Sequence, residues 1–165
     1  METERALQKT FKLREFAMSD LRSVTNINHT CLPENYTDFF FIDLYHRFPE
    51  TFIVAEDNGE AVGYIMCRIE TGLSNFGLGG LLKKGHIVSI AVMPDHRRKG
   101  IAEAIINTAT EKMQTAYNAK QCYLEVRISN EPAIKLYRKL GFEATRTIRG
   151  YYADGEDAYM MSKKL

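Results

Sequence analysis

The stretch HIVSIAVMPDHRRKGIAEAI, residues 86–105, joins a buried strand to a helix. Residues 86–92 are nearly all apolar, the pattern of a central strand covered on both faces. A turn follows at Pro94, and a helix is predicted over 98–117 with Ile101, Ile105, Ala109 and Met113 on one face. The start of a helix leaves N–H groups unpaired at the positive end of its dipole, which suits a phosphate. Gly100 and the small Ala102 allow a ligand close to the backbone, and Arg97, Arg98 and Lys99 add charge. Cations in a first helical turn oppose the dipole, so they call for an anionic partner or open solvent. The junction by itself leaves both open.

Strand and helix signals alternate on either side. Residues 11–16 alternate apolar and polar as a half-buried strand does. Ser19 is the expected cap of a helix striped by Leu21, Val24, Ile27 and Cys31, which Pro33 ends. A short helix is expected over 37–47. Residues 51–57 and 61–70 read as strands around Asn58-Gly59, a strong hairpin signal. Residues 72–85, GLSNFGLGGLLKKG, lack the G-x-x-x-x-G-K-[ST] pattern and have no strand running into the glycines. They read as a flexible surface loop or part of a substrate wall. QCYLEVR, 121–127, is a further alternating strand. Asn130 is the expected cap of a helix carrying Ala133, Leu136, Tyr137 and Leu140, stopped by Gly141. Two closing strands flank a tip near GYYADGEDA. The fold class is α/β (α+β) in one layered domain over 11–165, after a polar tail at 1–10.

Composition excludes several classes. The 165 residues are 45% hydrophobic and 26% charged, which excludes a mainly disordered chain. A net charge of +1 supplies no global field toward nucleic acid or an acidic membrane. Neither a signal-peptide core nor an apolar run of membrane-spanning length is present. Cys31, Cys67 and Cys122 are odd in number, lack C-x-x-C spacing and lie in apolar stretches, so they read as reduced core thiols of a cytoplasmic protein.

With RRKGIA at 97–102, the chain resembles the GNAT acetyltransferase superfamily, whose pyrophosphate loop reads R/Q-x-x-G-x-G/A. LPENY at 32–36, SNEPAIKLYRKLGF at 129–142 and YYADGEDAYMM at 151–161 narrow the resemblance. Together these segments look like the catalytic subunits of N-terminal acetyltransferase A, the stand-alone archaeal members above all. The resemblance runs from about residue 11 to the C-terminus, and LPENY and YYADGEDAY are its most specific parts.

The resemblance implies a mixed, twisted, seven-stranded sheet with about four flanking helices and a splay between the fourth and fifth strands. It implies acetyl-CoA as co-substrate, with the backbone of Ile90, Ala91 and Val92 along the pantetheine and Arg97, Arg98, Lys99, Gly100, Ile101, Ala102 and Glu103 around the pyrophosphate. Asn130, Tyr137 and Lys139 fall near the thioester end, where Tyr137 offers its hydroxyl to the leaving thiolate. Glu34 and His86 are the candidate bases, with Glu125 facing His86; two such ligands are too few for a zinc site, and no metal is expected. Leu32, Pro33 and Glu34 are the expected first-residue pocket, and Tyr36, Tyr151 and Tyr152 the contacts to the peptide main chain.

The implied reaction is direct acetyl transfer to the α-amine of protein N-termini beginning with Ser, Ala, Thr or Gly, and also Met or acidic residues. An α-amine with a pKa of about 7.7–8.0 is roughly a tenth neutral at pH 7, whereas a lysine near about 10.4 is almost wholly charged. A modest base therefore suffices. Expected partners are N-terminal peptides, with ribosome or auxiliary-subunit contact in view, and neither nucleic acid nor membrane. Two alternatives stay open: a lysine or small-amine acetyltransferase, and a CoA-binding subunit without activity.

Overall fold

A computed structural model describes residues 10–165. Most of the expected tail, residues 1–9, lies outside the described residues. The element order is β1 (Lys12–Glu15), α1 (Leu21–Cys31), α2 (Asp38–Arg47), β2 (Ile53–Asp57), β3 (Glu60–Leu73), β4 (Leu81–Val92), α3 (Ile101–Tyr117), β5 (Gln121–Arg127), α4 (Glu131–Lys139), β6 (Glu143–Ile148) and β7 (Ala158–Lys164). The strands form one seven-stranded sheet ordered β1-β2-β3-β4-β5-β7-β6. Every neighbouring pair is antiparallel except β4 and β5.

That parallel pair creates the site. It is joined only over Lys84–His86 and Gln121–Tyr123. Beyond His86 and Tyr123 the two strands diverge, and the backbone edges facing the gap are left without a ladder partner.

Two apolar clusters sandwich the sheet. On one face α3 lays Ile101, Ile105, Ala109 and Met113 against Ile65, Cys67, Ile87, Cys122 and Leu124. Gly85 makes that contact possible, because a Cβ there would lie 2.1 Å from the Met113 sulfur. On the other face Val24 and Ile27 of α1 and Phe41 and Leu44 of α2 cover Val54, Tyr64 and Met66.

Four local expectations change. Ser19 caps nothing: a 3₁₀ turn over Met18–Asp20 precedes α1, and the Asp20 carboxylate accepts from the Ala17 amide at 2.8 Å. The first strand of the Asn58-Gly59 hairpin starts at Ile53, after a 3₁₀ turn over Pro49–Thr51. Strands do run into the glycine-rich stretch, with Leu73 paired to Leu81 and Thr71 to Lys83, so the loop proper is only 74–80. Pairing with an antiparallel neighbour outweighs the weak strand propensity of Gly72 and Gly85. Finally, α3 begins at Ile101 and not at 98, because Arg98 and Gly100 adopt positive φ of 63° and 80°.

Candidate active site

The gap between β4 and β5 opens into a groove of about 310 Å³. Its floor is Ile87, Val88, Ser89 and Ile90 of β4 with Leu124, Glu125, Val126 and Arg127 of β5. One wall is the loop after α1, Leu32, Pro33, Glu34 and Tyr36; the other is Tyr151 and Tyr152 of the β6–β7 hairpin, with Asn130 and Tyr137 at the α4 end. Thus nearly every residue expected near peptide or thioester lines one cavity.

The loop after α1 is held from below by Asn28, which is fully buried. Its Nδ2 donates to the Glu34 carbonyl and to the Tyr64 hydroxyl, both at 3.1 Å, and its Oδ1 accepts from the Tyr36 amide. Sequence reading missed Asn28, although a polar residue beside Val24 and Ile27 on the apolar stripe of α1 was the available signal.

Arg127 was missed as well. Its guanidinium donates to Glu34 at 2.7 Å, Asp154 at 2.8 Å and Glu156 at 3.0 Å, and lies 4.0 Å from the centre of the Tyr152 ring. One side chain therefore ties the loop after α1 to the closing hairpin across the groove. These bonds hold Asp154 and Glu156 below the usual carboxylate range, with the Glu156 amide acting first on Asp154 and the Ser129 hydroxyl first on Glu156. Asp154 and Glu156 thus serve the bridge as well as the turn.

His86 and Glu125 meet as expected: Nε2 lies 2.7 Å from a Glu125 carboxylate oxygen. Their order is the surprise. Glu125 lines the groove, while His86 lies behind it, 7% exposed and stacked on Tyr123 at 4.4 Å. Its Nδ1 is buried with no partner. With the hydrogen on Nε2, the ring donates to the carboxylate and leaves only a lone pair unpaired, which costs less than an orphaned N–H.

Tyr137 is buried, and with only its burial acting, its hydroxyl is pushed up to about 12. Tyr36 and Tyr151 are also raised, first by burial and then by the nearby carboxylates Glu34 and Glu125. All stay protonated donors at neutral pH.

At the other end, Arg97, exposed like its neighbours, folds its side chain back and donates from Nε to the Val92 carbonyl at 2.9 Å. Its charge thus caps β4. Arg98 and Lys99 are exposed, and a Cβ on Gly100 would meet nothing within 4 Å. The left-handed residues Arg98 and Gly100 lead into the free amides of α3, a concave donor set suited to an anion. Lys139 and Glu103 pair with each other at 2.9 Å on the surface, and neither lines the groove. Cys67 and Cys122 are buried, and burial pushes both thiols up. Cys31 is no core thiol: it is half-buried in the groove wall, with its Sγ 3.6 Å from the Val92 carbonyl oxygen. Among the described residues, no helix is long and apolar enough to cross a membrane.

Residues 21–142 match the acetyltransferase (GNAT) family model. The chain is 49% identical over 158 residues, 95% of each chain, to an N-alpha-acetyltransferase of Sulfurisphaera tokodaii. It is 38% identical over 157 residues to NAA10 of Arabidopsis thaliana, the catalytic subunit of its N-terminal acetyltransferase A complex, covering 93% of this chain and 77% of that one. In structure it is similar to Arabidopsis thaliana Naa50 in complex with a bisubstrate analogue, CoA-Ac-MVNAL, with a TM-score of 0.80, 30% identity and coverage of 94% and 99%.

Proposed function

The chain belongs to the acetyltransferase (GNAT) family, and we propose that its groove transfers the acetyl group of acetyl-CoA to the free α-amine of protein N-termini. The observation that carries this reading is the Arg127 bridge. It ties the two groove walls together, so that an extended chain end can enter while a lysine in mid-chain meets a closed rim. A lysine acetyltransferase needs an open trough there.

The donor supplies an activated acyl group. The amides from Arg98 to Ala102 hold its pyrophosphate, and the β4 edge over Ile90–Val92, which has no strand partner on the β5 side and whose Val92 carbonyl is taken by Arg97, runs along its pantetheine arm. Lys139 and Glu103 contribute by pairing α4 to α3 beside that loop. The donor set fits a diphosphate, since open space lies above Gly100 and the basic residues Arg97, Arg98 and Lys99 are exposed beside it.

The acceptor arrives largely as an ammonium. Glu125, which lines the groove and has one carboxylate oxygen engaged by His86, receives it and takes its proton directly or through one water. His86 behind it donates to the carboxylate and fixes its orientation. The neutral amine then attacks the acyl carbon to form the N–C bond, the C–S bond breaks as the adduct collapses, and the Tyr137 hydroxyl protonates the departing thiolate; the second proton, shed by the nitrogen of the adduct, returns through solvent to the tyrosine oxygen. Leu32 and Pro33 with the stem of Glu34 surround the first side chain, and Tyr36, Tyr151 and Tyr152 donate to the peptide main chain. Glu34 is engaged by Arg127, so it shapes the pocket and leaves proton removal to Glu125.

Transfer is direct, in a ternary complex. The hydrogen-bond partners of the Cys31 sulfur among the described residues are a carbonyl oxygen and the Met93 sulfur, neither of which is a base that would make it a nucleophile. An auxiliary subunit belongs to the same reading, supported by the complex that contains the 38%-identical Arabidopsis relative, and ribosome contact is proposed with it. Acetyl transfer from acetyl-CoA to peptides with free Ser, Ala, Met or Glu ends, against N-blocked peptides with an internal lysine, tests it. Transfer to the lysine overturns it.

A further inference from the structure

Past Glu125 the same face of the sheet continues as a polar shelf. Side chains alternate along a strand, so the face bearing His86 and Glu125 also bears Arg68 and Glu70 of β3, Lys84 of β4, Tyr123 of β5, and Ser162 and Lys164 of β7. The apolar faces of α1 and α2 cover the other half of that side, over Val54, Tyr64 and Met66. The 74–80 loop touches the outer rim, where Asn75 donates to the Ser162 hydroxyl at 3.1 Å and accepts from Lys84 at 2.9 Å.

The shelf is net positive, with Arg68, Lys84 and Lys164 against Glu70. Its cations are not equally available. Lys84 is held by Asn75 and lies over the Tyr123 ring, and Lys164 lies over Phe76. Glu70 accepts from the Tyr123 hydroxyl. Arg68 has Glu70 at 3.6 Å, too long for a hydrogen bond, and its side chain is 45% exposed. Arg68 stands directly opposite His86 in the β3–β4 ladder. Its charge reaches Tyr36 and Tyr151 on the two groove walls, where it opposes the upward push on their hydroxyls.

We infer that Arg68 is a specificity-determining residue that reads a carboxylate side chain at the second or third position of the substrate. This deepens the proposed function and rests on it. Arg68 on β3 and Glu125 on β5 are two strand spacings apart, about 10 Å across the sheet, and an extended chain advances about 3.3 Å per residue. A chain whose amine is at Glu125 therefore brings its second and third residues past Arg68. The guanidinium offers a planar fork to a carboxylate and repels a lysine at the same place.

The test uses three free-amine peptides that differ only at positions two and three: Ser-Glu-Glu, Ser-Ala-Ala and Ser-Lys-Lys, each followed by one common sequence. The intact protein is expected to favour the Glu peptide over the Lys peptide by about threefold in kcat/KM, mainly through KM, the size of a solvent-exposed ion pair. The preference should shrink with added salt. Arg68→Glu should invert the order when the Glu and Lys peptides are each read as a ratio to the Ala peptide with the same variant, with Arg68→Ala intermediate. An order unchanged in Arg68→Glu, or no salt dependence in the intact protein, overturns the inference. Failure of the underlying reading looks different: acetyl then appears on lysine side chains of N-blocked controls, whatever stands at position 68, and both claims fall.

Discussion

The Arg127 guanidinium donates to the Glu34 carboxylate at 2.7 Å, and these residues lie 93 positions apart in the chain. The contact joins a loop that follows a helix to the end of a central strand. Through Asp154 and Glu156 it also draws in the closing hairpin.

Removing this bridge should loosen peptide binding without disturbing the donor. Arg127→Ala is expected to lower kcat/KM for peptides about 10- to 100-fold, or about 1.4–2.7 kcal/mol, while KM for acetyl-CoA stays within about twofold. Arg127→Lys should rescue little, because one ammonium cannot serve three carboxylates and also stack on Tyr152. Steady-state kinetics with each substrate varied in turn checks this.

Glu125 and His86 should separate by magnitude. Glu125→Gln keeps the shape and removes the acceptor for the amine proton, so kcat should fall by about 100-fold or more. His86→Ala leaves the carboxylate in place without its donor, and a smaller fall is expected. Equal losses would return His86 to direct proton removal.

Gly100→Ala tests the phosphate loop. A side chain at a φ of 80° is strained by about 1–2 kcal/mol. The added methyl meets open space and not protein, so it stands where the donor must approach. KM for acetyl-CoA is expected to rise several-fold with peptide KM unchanged.

Tyr137 is pushed up to about 12 by burial, so its hydroxyl remains a donor well above the range in which the amine loses its proton. Tyr137→Phe should keep the fold, since the ring stays buried, and lower kcat by about 10-fold or more. Between pH 7 and 10 the rate of the intact protein should show no falling limb attributable to this residue.

Stability should report Asp20. Its carboxyl is held below the usual range, first by the hydrogen bond from Arg14 and then by the Ala17 amide, against its burial. A depressed folded-state pKa contributes stability that is present above the unfolded value of about 3.9 and lost as pH falls through the lower folded value. Asp20→Asn should therefore cost about 2 kcal/mol at pH 6 and much less near pH 2. Thermal melts at the two pH values read the difference directly.

The sequence by itself determined the strand order of events along the chain, the apolar face of α3, the Asn58-Gly59 turn and the capping of α4 by Asn130. Each rests on residues close together, where periodicity of 2 or 3.6 and turn chemistry act within a few positions. Because LPENY, the glycine loop and the tyrosine pair are local motifs, they could also be quoted from sequence, and all three fall around one gap in the sheet. Only tertiary structure decided what the long-range partners do. His86 lies behind Glu125 because β4 and β5 part company just beyond it, and no spacing along the chain encodes which residue then faces the gap. Arg97 folds back along the surface to a strand carbonyl, and Cys31 stands in the groove wall. Arg127 and Asn28 hold the walls through contacts that cross many tens of residues or run from a buried helix face to a loop. Such contacts depend on side-chain direction and burial, quantities that exist only once the sheet is assembled.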